Sequence, residues 1–150
     1  MLRIFRRFQR PLNIYTDGSL KHGLGSWAFV AVRGDKVILE NSGVSKRTTS
    51  NRMEFQAAIE ALKHFSEERK IKIHTDSRVL LEAIAKIPEW QRLSWVKANQ
   101  SKIPSVDQMK EIFDLIKYRN IEWQWVKAHT GIVFNERCDQ LCIQARKMKF

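Results

Sequence analysis

Apolar positions along the chain switch between two periods, and each switch marks an element. Residues 12–17, "LNIYTD", are a mostly apolar run ending on an aspartate and predict a buried strand. Residues 26–33 ("SWAFVAVR") and 36–44 ("KVILENSGV") are rich in Val, Ile and aromatics. They meet at Gly34-Asp35, which predicts an antiparallel hairpin. From Asn51 the spacing lengthens: Met53, Ala57, Ala58, Ala61, Leu62 and Phe65 recur at helical intervals behind the capping cluster "TTSN". "KIKIHTD" (70–76) returns to strict alternation, a strand with Ile71, Ile73 and Thr75 on one face. Residues 77–86 read as a short helix ending before Pro88, which lacks the N–H a helix interior needs. A Trp- and Lys-rich stretch leads to a helix from about Ser105 to Tyr118, and "NIEWQWV" (120–126) alternates as a fifth strand. "NERCDQLCIQARKMK" closes the chain as a helix with Cys138, Leu141, Cys142 and Ala145 on its core stripe.

The predicted order is β-β-β-α-β-α-α-β-α. A hairpin pairs antiparallel, whereas strands reached through helical crossovers pair in parallel, so the pattern predicts an α/β domain with a mixed sheet. No internal repeat, linker or low-complexity tract divides the 150 residues. Residues 11–150 are expected to be one domain, preceded by a basic arm at 1–10, "MLRIFRRFQR", with four arginines and no acid. The arm lacks the apolar centre of a signal peptide, and no segment approaches the ~20 apolar residues that span a bilayer.

Charge changes the picture more than composition does. A net charge of +11 and a pI near 10.0 point to a polyanionic partner, most often nucleic acid, against the plainer reading of a merely basic soluble protein. Cys138 and Cys142, four apart in a predicted helix, fit neither a disulfide framework nor a metal pattern. They are expected to be core thiols in a reducing compartment.

The candidate chemistry is carboxylate chemistry. "YTDGS" (15–19) and "IHTDS" (73–77) both end a strand-like segment with Thr-Asp and a small turn residue. Sites in open α/β sheets form at the carboxyl ends of strands. On adjacent parallel strands Asp17 and Asp76 would lie within about one strand spacing, ~5 Å. Carboxylates that close stay ionised only with cations between them, and hard oxygen donors suit Mg²⁺ or Mn²⁺. Local readings compete. Each Asp caps the turn after it; Glu54 has capping-box spacing in Asn51-Arg-Met-Glu54; Asp139, near the start of the last helix, suits the helix dipole.

"YTDGS", "TTSNRMEFQAAIEAL", "IHTDS" and "WVKAHTGIVFNERCDQL", in this order from about Asn13 to Ala145, together resemble type 1 ribonuclease H, the nuclease that cuts RNA within an RNA–DNA hybrid. The resemblance implies a ribonuclease H-like fold, a five-stranded mixed sheet with helices on both faces, and a catalytic domain over 11–150. It implies endonucleolytic hydrolysis of the RNA strand at two Mg²⁺ ions, with Mn²⁺ able to substitute, giving 5′-phosphate and 3′-hydroxyl products. Asp17 would bridge the ions, Asp139 would hold the one on the nucleophile side, and Glu54 and Asp76 the one on the leaving-group side. His129, in "KAHTG", matches a loop histidine credited with proton handling and product release, beside a mobile Gly131.

For the nucleic acid, the resemblance places Ser50, Asn51 and the "GSLKHG" turn against the minor groove, where 2′-hydroxyls distinguish RNA from DNA. Asn135 joins the nucleic-acid contacts. Arg78 stands where relatives often carry Gln, adding phosphate affinity at the expense of neutral base-edge contacts. Thr49 and Arg52 match a DNA-phosphate pocket, with Ser105 where Asn is common. Within 86–102, Trp90, Arg92, Trp95, Lys97 and Lys102 resemble a basic handle on the DNA strand; the competing reading is an amphipathic helix whose tryptophans cover core. The expected protein is a cytoplasmic monomer acting on RNA–DNA hybrid, with no membrane partner and no cofactor beyond divalent metal. Two other functions remain: a non-catalytic hybrid-binding module, and a domain of reverse-transcriptase or integrase type.

Overall fold

Two hairpins lay down the first three strands, and the computed structural model describes residues 10–148. β1 (Leu12–Lys21) and β2 (Leu24–Arg33) turn at His22-Gly23, both at positive φ (51° and 74°), which matches the twist of a two-residue hairpin. β3 (Lys36–Lys46) follows a turn at Gly34. Then come α1 (Ser50–His64), β4 (Lys70–Thr75), α2 (Arg78–Arg92), α3 (Val106–Ile116), β5 (Asn120–Trp125) and α4 (Val133–Met148). The sheet order is β3-β2-β1-β4-β5, antiparallel within the hairpins and parallel for β1–β4 and β4–β5, so it is mixed as expected.

Strand alternation divides the core between two faces. Leu12, Ile14, Phe29, Ile71 and Ile73 pack on one side with Ala61 and Leu62 of α1. α2 and α3 extend that layer through Ile87, Trp90, Met109 and Ile112. On the other side Ala28, Val30 and Val32 lie under Cys138 and Cys142 of α4, both free thiols with no exposed surface. Among the described residues no helix is long and apolar enough to cross a membrane. Residues 1–9 of the basic arm lie outside the described residues; the Arg10 carbonyl accepts from Arg33 Nη1 at 2.9 Å.

Of the boundaries that differ from the sequence expectation, three have a clear physical reason. α2 does not stop before Pro88 but runs through it to Arg92. A mid-helix proline costs about 3 kcal/mol. Continuing the helix buries Ile87 and Trp90, at 1% and 7% exposure, and full burial of such side chains returns roughly 1.5–3 kcal/mol each. The second correction is to β1, which continues past Asp17 to Lys21 because β2 keeps pairing with it; only the parallel ladder with β4 stops, at Tyr15 opposite His74. Most of "GSLKHG" is therefore strand, and the turn is two residues long. Finally, α3 ends at Ile116 rather than Tyr118, whose φ is 65°.

Candidate metal centre and nucleic-acid groove

Asp17 and Asp76 each lie two residues beyond the last β1–β4 pair, so the parallel ladder delivers them to the same level of the sheet. The local alternatives for all four acids fail on geometry. Ser77, not Asp76, caps α2: its Oγ accepts from Leu80 N at 3.1 Å, while Thr75 Oγ1 accepts from Ser77 N at 3.0 Å. Thr49 caps α1 by accepting from Arg52 N at 3.1 Å. Glu54 is then the fifth helical residue, and the Asn51 capping box does not form. Asp139 is the seventh residue of α4, whose first-turn acid is Glu136. Asp17 stands within a strand and has no turn to cap.

Carboxylate oxygens of Asp17, Glu54 and Asp76 lie within 4.8 Å of one another. Asp139 falls outside that tight triple but lines the same cleft of about 220 Å³, as do His129 and Asn135. Glycine makes the convergence possible. A β-carbon on Gly18 would lie 2.3 Å from the Glu54 amide nitrogen and 2.3 Å from the Met53 carbonyl carbon, so β1 reaches the backbone of α1 only where it has no side chain. The Gly18 N–H also donates to Asp17 Oδ1 at 2.9 Å.

Burial and crowding set the electrostatics. Asp17 is pushed up to about 7, first by desolvation and then by the charge of Asp76, with Asp139 adding to it. Glu54 is raised well above the ordinary carboxylate range by burial and then by Asp17 and Asp76. Asp76 is raised by burial, opposed by His129 and by a hydrogen bond from Asn135. Each of the two buried carboxyls thus raises the cost of ionising the other. Glu54 Oε2 is buried with no hydrogen-bond partner. An orphaned buried acceptor among crowded acids is what an oxygen-ligated divalent cation would satisfy, and the donor set fits Mg²⁺ or Mn²⁺.

A second hollow, about 550 Å³, opens from the same acids. Glu54 and Asp76 line it together with the expected groove residues Ser50, Asn51 and Arg78. Thr49 and Arg52 lie at the α1–α3 junction, where the Arg52 guanidinium donates to both carboxylate oxygens of Asp107 at 3.0 and 2.8 Å, two residues from Ser105. The handle residues separate into two groups. Trp90 is core, as the competing reading had it. Half-buried Trp95 packs edge-on against Phe113 at 5.8 Å, while Arg92 and Lys102 are exposed and Lys97 is half-buried. Sequence reasoning missed Glu136, Trp125 and Lys127, which line one hollow or the other, whereas Ser19 of the expected "GSLKHG" segment does line the metal cleft. Glu136 Oε1 accepts from Gly131 N at 3.1 Å and so ties the His129 loop to α4; in the sequence it reads as an ordinary first-turn acid.

Residues 9–147 match the RNase H family. The chain is 36% identical over 139 residues to "Ribonuclease H" of Novosphingobium aromaticivorans, covering 91% of this chain and 96% of the relative. It is 37% identical over 143 residues to "Ribonuclease H" of Chlorobium phaeobacteroides, covering 93% and 97%. Among solved structures it superposes on the PFV RNase H domain with a TM-score of 0.81 at 22% identity, covering 95% of this chain and 98% of that one. It superposes equally well, TM-score 0.81 at 21% identity, on LC9-RNase H1, described as a type 1 RNase H with the type 2 active-site motif, covering 95% and 74%. These two likenesses establish the fold.

Proposed function

The chain belongs to the RNase H family and is an enzyme of that class, and from that premise we propose that it hydrolyses the RNA strand of RNA–DNA hybrids endonucleolytically, leaving 5′-phosphate and 3′-hydroxyl ends. The observation that carries this reading is the convergence of Asp17, Glu54 and Asp76 within 4.8 Å, with Asp139 on the same cleft and none of the four serving as a cap.

The four carboxylates would hold two divalent cations, Mg²⁺ or Mn²⁺, with Asp17 between them, Asp139 on the nucleophile side, and Glu54 and Asp76 on the leaving-group side. Such ions supply an activated water and charge stabilisation at the departing oxygen. The chain's own residues do the rest. Gly18 holds Asp17 against α1, Ser77 fixes the start of α2 so that Asp76 faces the cleft, and His129, on a loop at φ 54°, takes and returns a proton beside it. Ser50 and Asn51 offer hydroxyl and amide groups to the sugar edge of the RNA, with Asn135 beside the acids. Thr49, Arg52 and Ser105 take a phosphate of the DNA strand. Arg92, Lys97 and Lys102 attract its backbone electrostatically. The strongly basic charge suits work on nucleic acid, and the proposed setting is a monomer in the cytoplasm.

A cleavage assay on RNA–DNA hybrid, RNA duplex and DNA duplex, with and without Mg²⁺, tests the reading. Metal-dependent cleavage confined to the RNA of the hybrid supports it. Binding without cleavage would instead establish a non-catalytic module, and strand transfer into DNA duplex an integrase-type activity.

A further inference from the structure

The hollow beside the metal cleft has walls of different chemistry. The first turn of α1 contributes Ser50 and Asn51, neutral donors and acceptors. Facing them are two cations, Arg78 at the start of α2 and Lys127 just beyond β5. Neither forms an ion pair among the described residues, and both are exposed.

Arg78 is costly where it stands. It is the first residue after the Ser77 cap, at the positive end of the α2 dipole, where an acid is favoured and a cation is not. Among the described residues no carboxylate forms an ion pair with it. The Arg78 guanidinium carbon instead lies 4.5 Å from the centroid of the Trp125 ring, itself exposed at the end of β5. An aromatic face fixes the position of a guanidinium without consuming its N–H donors. The outcome is a positioned, unpaired fork of donors on the wall of a groove that shares Glu54 and Asp76 with the metal cleft. A strand with one phosphate at the acids would run past it along the shared hollow.

We propose that Arg78 is a specificity-determining residue that grips a backbone phosphate of the RNA strand next to the one cleaved, and that Trp125 is the positioning residue that holds its guanidinium there. The proposal rests on the hybrid-hydrolase reading of the adjoining cleft. Arg suits the task because its planar fork meets two phosphate oxygens at once, which neither Lys nor a neutral amide does. The result is a site that checks the charge of the neighbouring linkage rather than the identity of a base.

The test is a scan of neutral linkages. Hybrids carry a single methylphosphonate in the RNA strand, on a 2′-deoxy residue for chemical stability, moved one linkage at a time to either side of the cleavage site. Affinity is measured in Ca²⁺ and cleavage in Mg²⁺, for wild type, Arg78→Gln, Trp125→Phe and Trp125→Leu, with melting curves to establish folding. At one linkage adjacent to the cleavage site, wild type should lose about tenfold in affinity, the scale of one charge-assisted hydrogen bond. Arg78→Gln should lose nothing further there while matching wild type at every other linkage. Trp125→Leu should behave like Arg78→Gln, and Trp125→Phe should keep most of the wild-type penalty. An identical profile for wild type and Arg78→Gln would overturn the phosphate contact, and a wild-type profile in Trp125→Leu would overturn the positioning role. If the unmodified hybrid is bound but not cleaved in Mg²⁺, the hydrolase reading fails while the binding scan still decides the clamp.

Discussion

Gly18 and Glu54 meet backbone to backbone, with a hypothetical β-carbon on Gly18 only 2.3 Å from the Glu54 amide nitrogen. The contact joins the strand that carries Asp17 to the helix that carries Glu54, and so sets the spacing of two proposed ligands.

Gly18→Ala should therefore act on function and stability together. Backbone cannot give way as a flexible side chain can, so β1 and α1 must separate, at a cost of about 1–3 kcal/mol for overpacking. Chemical denaturation and Mg²⁺ titration of the same variant should show lower stability and weaker metal binding. A stable variant with unaltered Mg²⁺ affinity would mean that the strand–helix contact does not position the acids.

Metal binding should be proton-linked. Asp17 is raised to about 7 by burial and by Asp76, so between about pH 4 and 7 the metal-free fold loses stability as that carboxyl ionises. His74 works in the opposite sense. It is pushed down to about 4 by burial and by Lys72, so its contribution is complete above its ordinary value and lost as pH falls toward 4. The metal-dependent difference isolates the acids: the rise in Tm on adding Mg²⁺ should grow from pH 6 to pH 8, because bound protons must leave first. A rise independent of pH would place the cation elsewhere.

Trp90 and the handle cations should separate in experiment. Trp90→Ala removes a core side chain and should cost about 3–5 kcal/mol in denaturant unfolding. Replacing Arg92, Lys97 and Lys102 with Ala should leave Tm nearly unchanged yet flatten the salt dependence of hybrid binding, by up to about one slope unit for each phosphate that is no longer neutralised. An unchanged slope would show that these cations do not touch the backbone.

His129→Ala should slow turnover by about 10²–10⁴-fold, the usual worth of proton transfer, while leaving measurable activity. Loss as complete as removal of a carboxylate would give His129 a more central role than proton handling.

The sequence showed the strands and helices through their periods, and it singled out Asp17 and Asp76 because Thr-Asp recurs at two strand ends, whereas Glu54 and Asp139 stood out only through the family resemblance. It did not show what depends on distant partners. Pro88 reads as a helix stop until Trp90, beyond it, is seen to be buried. Asp17 reads as a strand end because the ladder to β2 that carries β1 on to Lys21 is a tertiary feature. Glu54 looks like a cap until Thr49 is found in that place. Trp125 gave no signal, since a tryptophan in an alternating strand is ordinary until a guanidinium sits over it.

The most direct test is Asp17→Asn, assayed for hybrid cleavage and for Tm with and without Mg²⁺. The substitution removes one charge from a buried, crowded cluster at nearly constant shape, so relief of desolvation and repulsion should offset the loss of the Gly18 hydrogen bond to a charged acceptor. If Asp17 is a shared metal ligand, essentially all cleavage disappears, Tm in metal-free buffer at pH 8 stays level or rises, and the Tm response to Mg²⁺ shrinks. A variant that still cleaves hybrid and responds to Mg²⁺ like wild type, while melting earlier in metal-free buffer, would contradict the assignment of the metal centre.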